Sequence, residues 1–245
     1  MSAYHNPNDR RAGTAAFTLV ELAVVVAMMG ILSAILLPAL GTAKERSKRA
    51  VCKSYVRQDL QIFQMYADDN RQFLPSSIDN LGYYHSICFS DETYSNLASA
   101  AGNTNIFYCP NMIFNGTKPT HTASGYTIGY SYLAANIQST VKGPDPTWIP
   151  PQKWTDPPST PLIADANYWT DDPTQTIIAP HAKAGPVIDP ATGTTITQGL
   201  AGTNSASLGA VGGNVGYLNG AVLWKAISGM STYNASSTPE AFANW

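Results

Sequence analysis

FTLVELAVVVAMMGILSAILLPAL, residues 17–40, is an uninterrupted apolar run broken by one charge, Glu21. As a helix rising about 1.5 Å per residue it spans roughly 36 Å, enough to cross a hydrocarbon core of about 30 Å. Ahead of it stands a short polar stretch, residues 1–16, with Arg10 and Arg11. A secretory signal would carry a shorter apolar region followed by a small-residue cleavage site. Here the run is long and continues into charged, helix-compatible sequence, so it reads as a retained span.

The helical period persists past Leu40. Cys52, Tyr55, Val56, Leu60, Phe63 and Ala67 recur at spacings of three and four, which marks an amphipathic helix with one face against a core. Asp68, Asp69 and Asn70 are poor interior formers and Pro75 follows, so the helix is expected to stop near residue 70. Pro38 is the expected kink, with Gly41 beside it. The chain thus divides into residues 1–16, a transmembrane helix over 17–40, an amphipathic continuation over 41–70 and a β-rich globular part over 71–245.

Beyond Pro75 short β-rich runs at 105–109, 126–133 and 161–164 alternate with turn residues. Residues 142–161 are proline-rich and read as an irregular surface loop, and 191–210 approach low complexity. The strongest hairpin signal is 214–218, the turn Asn219-Gly220, then 221–226. An Asn-Gly pair suits a type I′ turn, in which both central residues need positive φ. The fold class expected is α+β: a long N-terminal transmembrane and amphipathic helix packed on a small, mainly antiparallel sheet domain.

Composition closes off several functions. The formal net charge is −2, which leaves no basic face for nucleic acid. There is no G-x-S-x-G, no H-E-x-x-H and no phosphate-cradling glycine loop, so no enzyme is expected. The histidines His5, His85, His121 and His181 are scattered along the chain.

The segment Ala16-Phe17-Thr18-Leu19-Val20-Glu21 resembles the processing site of the type IV pilin and type II secretion pseudopilin superfamily. The resemblance implies that a prepilin peptidase cuts between Ala16 and Phe17, removing residues 1–16 as a leader, and that Phe17 is then N-methylated. Glu21 falls at the fifth mature position, where the family carries a glutamate, and Pro38 where many members carry a kinking proline. The family prefers Gly before the cut, and Ala16 is the next smallest choice. The stretches around Arg49 to Tyr66, Tyr108-Cys109-Pro110, residues 161–165 and the run 212–220 resemble pseudopilin-like proteins with a variable periplasmic domain. That group often ends in an Asp-Gly hairpin preceded by a histidine; here Asn219 replaces the aspartate and His181 lies far upstream.

The resemblance implies a structural filament subunit with a lollipop layout. It would be inserted once through the inner membrane, with the leader in the cytoplasm and the C-terminal domain in the periplasm or on an extracellular filament. Its partners would be copies of itself, minor pilins or pseudopilins, the peptidase, an inner-membrane assembly platform and membrane lipid. A carboxylate within a bilayer costs on the order of 2.5–3.5 kcal/mol, and the new amine of Phe17, its own or a neighbour's, is the cation that would pair with Glu21. Snorkelling of Glu21 to the interface is the plainer account. Lys44, Arg46, Lys48 and Arg49 outnumber Arg10 and Arg11, against the positive-inside tendency; the processing motif sets the orientation instead. Two alternatives stand beside this reading: a surface pilin for adhesion or DNA uptake, and a singly anchored envelope domain that binds glycan or protein. The latter would use Trp148, Trp154, Trp169, Trp224 and Trp245.

In an exported domain the odd cysteine count suggests one pair and one leftover thiol. A Cys88–Cys109 disulfide would contribute about 3 kcal/mol on the chain-entropy view, and two free thiols are the equal alternative. Cys52 lies on the apolar stripe and reads as a small buried hydrophobe. His85, Cys88, Cys109 and His121 fit no common zinc spacing. Asp68/Asp69, Asp91/Glu92 and Asp171/Asp172 offer oxygen ligands of the kind calcium takes, though solvated turns explain them more simply, and no cofactor is expected. Asp165 ends an apolar run and reads as a local backbone hydrogen-bond acceptor.

Overall fold

A computed structural model describes residues 18–112, 121–134, 149–170, 177–182, 205–207, 209–237 and 240–245. The expectations for Ala16, Phe17, Trp148 and Asp171/Asp172, for residues 142–148 and for most of the loop at 191–210 lie outside these residues. The chain divides into two compact units, residues 1–44 and 45–245. One helix, α1 (Leu19–Asp69), supplies the described part of the first unit and opens the second. It runs through Pro38, where Thr42 Oγ1 donates to the proline carbonyl at 3.2 Å.

In the first unit every large apolar side chain of the run is exposed, from Leu19 (83%) to Leu37 (68%) and Leu40. Among the described residues no protein face covers this segment, and such an all-round apolar surface is suited to an apolar surrounding.

In the second unit the stripe read from sequence faces the core: Cys52, Val56, Leu60, Phe63 and Ala67 are buried, and Tyr55 is half-buried against it. Phe63 packs against Tyr132 and Phe89 at ring-centroid distances of 4.8 and 6.4 Å. The helix ends at Asp69, where Arg71 and Gln72 turn the chain with φ of 54° and 70°.

Among the described residues eleven short strands follow, all paired antiparallel. The central sheet runs β4 (Tyr130–Tyr132), β5 (Pro161–Asp165), β8 (Gly212–Tyr217), β9 (Val222–Ala226). A second runs β10 (Thr232–Ser237), β11 (Glu240–Asn244), β6 (Asn167–Thr170), β7 (Ile177–Ile178). A third joins β1 (Cys88–Phe89), β3 (Gly125–Thr127) and β2 (His121–Thr122). The result is the α+β, pilin-like layout the sequence predicts: a long apolar helix followed by antiparallel sheets. Gly216 on β8 explains how closely the central sheet meets α1. A Cβ there would sit 2.9 Å from Val56 and Ile163 and 3.0 Å from Leu60.

Several local expectations change. Residues 105–109 are not a strand, because Thr104–Phe107 form a 3₁₀ turn capped by the Asn103 side chain. The run 126–133 is split between β3 and β4, which belong to different sheets. The break falls at Gly129, where a Cβ would lie 2.6 Å from the Cys109 backbone nitrogen. The 219–220 hairpin forms, but not with a type I′ turn. Gly220 N–H donates to the Tyr217 carbonyl at 2.9 Å and Gly220 alone of the loop takes positive φ, the pattern of a three-residue loop with a glycine bulge. A second helix, α2 (Asp91–Ala101), is also present, with Ser90 accepting from Thr93 N–H and Gly102 closing it at φ 63°. Asp91 and Glu92 are thus its first-turn acids, where they complement the helix dipole.

Candidate functional site

Two features stand out. The first is the head of α1. Thr18 N–H and Oγ1 both donate to Glu21 Oε2, at 2.9 and 2.8 Å, while Glu21 N–H donates back to Thr18 Oγ1 at 3.2 Å. This reciprocal pair is a capping box: the side chain three residues into the helix satisfies the cap and the cap satisfies the helix. The Thr-x-x-Glu spacing could have been read from the sequence. Glu21 is therefore partnered within its own chain.

The second feature was not legible. Cys52 on α1, Cys109 two residues after the 3₁₀ turn, Asp165 at the end of β5 and His181 after β7 converge, all fully buried. One ligand atom from each lies within 4.8 Å of the others. Cys52 Sγ donates to Asp165 Oδ1 at 2.8 Å and lies 3.5 Å from Tyr130 Oη. Cys109 Sγ is 3.7 Å from His181 Nε2, which is 3.4 Å from Asp165 Oδ2. Asp165 Oδ2 also accepts from the Asn214 backbone N–H at 2.6 Å and from its side-chain amide at 3.0 Å. Asp165 does accept a backbone hydrogen bond, as expected, but across the sheet and inside a cluster.

A second ring of polar groups holds the first. His181 Nδ1 contacts Glu45 Oε1 at 2.7 Å. Glu45 Oε1 also accepts from Arg49 Nε at 3.0 Å, and its Oε2 from Asn111 Nδ2 at 2.9 Å. Asn111 bridges onward to the Pro180 carbonyl at 2.8 Å. The Arg49 guanidinium lies 4.5 Å over the Trp224 ring, which meets His181 edge-on at 5.5 Å. Arg49 is thus engaged in its own domain.

The electrostatics follow from this packing. Burial alone would lower His181, but Asp165 and Cys109 hold its imidazolium up at about 11. Burial alone would raise Cys109, yet hydrogen bonds from Cys52 and His181 bring its thiol down to about 7. Cys52 is pushed well up by burial and by the neighbouring Cys109 and Asp165. Burial opposes ionisation of Glu45, but Asn111, His181 and Arg49 outweigh it and lower its pKa. The chemical capacity of such a set is metal ligation, or a disulfide between its two thiols.

The other candidates are dispersed. All three cysteines are free, so the Cys88–Cys109 disulfide is not formed. Cys88 points toward the Ser124 carbonyl at 3.5 Å, whereas Cys109 faces Cys52 and His181. His85 meets Ser236 Oγ at 2.7 Å, and His121 meets Asp91 at 2.9 Å on the surface; neither belongs to the cysteine-containing cluster among the described residues. Among the described tryptophans, Trp169 and Trp245 are buried and Trp154 packs against the core. Trp224 is 36% exposed, with Arg49 over its ring.

The apolar helix followed by antiparallel sheets is a pilin-like layout. In agreement, the chain is 37% identical over 57 residues to the type IV wide pilus major component PilA4 of Thermus thermophilus. The match covers 23% of this chain and 44% of that protein, so it spans less than half the relative's length. No family profile matches the chain, and no solved structure does.

Proposed function

We propose that the chain is a structural subunit of a filament, a type IV pilus-like fibre or type II secretion pseudopilus, and not an enzyme. The observation that carries this reading is the wholly exposed apolar segment headed by Glu21, in a chain similar to a pilus component. Such a segment suits two successive environments: the inner membrane as a single span, then a bundle of the same helices from other copies. Cutting between Ala16 and Phe17 and methylating Phe17 would release the span from its cytoplasmic leader. The globular part would lie in the periplasm or on the filament exterior.

The capping box supports the assembly role of Glu21. It holds the carboxylate against Thr18 N–H, one residue from the position where cleavage would create a new amine. Pairing with that amine, in the same or a neighbouring subunit, would replace a costly bare charge by a matched one and reward correct axial register. The partners are then other copies, minor subunits, the peptidase and the assembly platform.

The test is the intact mass and N-terminal sequence of the membrane protein, with and without an active prepilin peptidase. A chain starting at methylated Phe17 only when the peptidase is present is the expected result. A chain that keeps its first residues under both conditions would overturn the reading and leave a permanently anchored envelope domain.

A further inference from the structure

We propose that Cys52, Cys109, Asp165 and His181 bind one zinc ion that ties α1 to the sheet domain. The donor set is two thiolates, one imidazole and one carboxylate. Calcium and magnesium take oxygen-rich shells, so the two sulfurs point away from them. A four-donor set of this softness suits tetrahedral zinc.

The geometry is close to what the ion needs. With zinc about 2.3 Å from sulfur and about 2.0–2.1 Å from nitrogen or oxygen, neighbouring ligand atoms stand roughly 3.4–3.8 Å apart. Cys109 Sγ to His181 Nε2 is 3.7 Å and His181 Nε2 to Asp165 Oδ2 is 3.4 Å. The Cys52 Sγ–Asp165 Oδ1 pair, at 2.8 Å, must open, because a thiol proton now bridges what the ion would bridge, and all the ligand atoms already lie within 4.8 Å of one another. Binding would release that proton and any others held on the ligands.

The surroundings are those of a metal site. Ligating histidines commonly give their second ring N–H to a carboxylate, and His181 Nδ1 stands 2.7 Å from Glu45. Asp165 Oδ2 is fixed by two donors of Asn214. All four ligands are fully buried, with no ligand position left for substrate. A closed four-ligand shell is the structural kind of zinc site.

The experiment uses the full chain, purified in detergent without chelator. Elemental analysis should find one zinc per chain, lost in Cys109→Ser and Asp165→Ala and kept in His121→Ala. Glu45→Gln should keep the fold but weaken zinc about tenfold or more. Because the ligand variants could unfold, cobalt(II) titration of the demetallated wild-type chain provides an independent reading. Intense visible bands with thiolate charge-transfer absorption are expected. A metal-free chain carrying a Cys52–Cys109 disulfide by mass, a different resident metal, or cobalt bound without thiolate absorption would each overturn the proposal.

Discussion

Residues 19–44 and 45–69 of α1 share one helical backbone, yet they meet their surroundings in opposite ways. The first stretch exposes its apolar side chains, whereas the second buries a narrow stripe and turns polar residues outward. A stripe is enough where a sheet is waiting; an all-round apolar surface requires lipid or other helices on every side. The same secondary structure thus presents an uncovered apolar surface in one half and serves as a core element in the other.

The sharpest way to break this comparison is a matched pair of truncations. Phe63→Ala should cost about 3–5 kcal/mol of domain stability, since Phe63 is fully buried between Phe89 and Tyr132. Leu32→Ala, on the exposed segment, should change it by less than about 0.5 kcal/mol. Urea unfolding followed by tryptophan fluorescence measures both, and equal losses would mean that the two halves are not independent. A smaller effect comes from the opposite face of the contact. Gly216→Val should destabilise by about 1–3 kcal/mol, because the added carbons meet Val56, Leu60 and Ile163. Unfolding midpoints unchanged in that variant would show that the sheet does not sit hard against the helix.

The third test concerns an oddity within the stripe. Asp59 is fully buried, and among the described residues neither carboxylate oxygen has a hydrogen-bond partner. Burial pushes its pKa well above the usual range. The native carboxyl keeps its proton where the unfolded chain has released it, so stability falls as pH rises from about 4 toward the folded pKa. Asp59→Leu should remove that slope and raise stability near neutral pH by about 1–2 kcal/mol. Thermal melts of both proteins across pH 4 to 8 would check the sign.

What could be read from sequence was local and periodic. The span, the stripe of Cys52, Val56, Leu60, Phe63 and Ala67, the helix stop and the last hairpin all rest on neighbours within a few residues. The turn type went wrong because Asn-Gly also fits a loop in which Leu218 takes part and only Gly220 needs positive φ. Helix α2 left a readable trace, Ser90 before two acids and Gly102 after alanines, hidden in a region dominated by turn residues. The buried cluster left none. Its four members come from distant parts of the chain with no Cys-x-x-Cys among them, and each alone reads as something else: a core cysteine, half of a Cys88–Cys109 disulfide, a strand end, a stray histidine. Only the folded domain, which brings α1, β5 and the segments holding Cys109 and His181 together, makes them neighbours.

Gly216 has a mechanical consequence. Val56 and Leu60, one turn apart on α1, both lie against the gap its missing side chain leaves, so the helix seats on the strand like a toothed bar. A pull along the helix axis would load these contacts together in shear, instead of opening them one after another as a peel does. If the chain is built into a filament as proposed, this seat is where a load carried along α1 would enter the sheets.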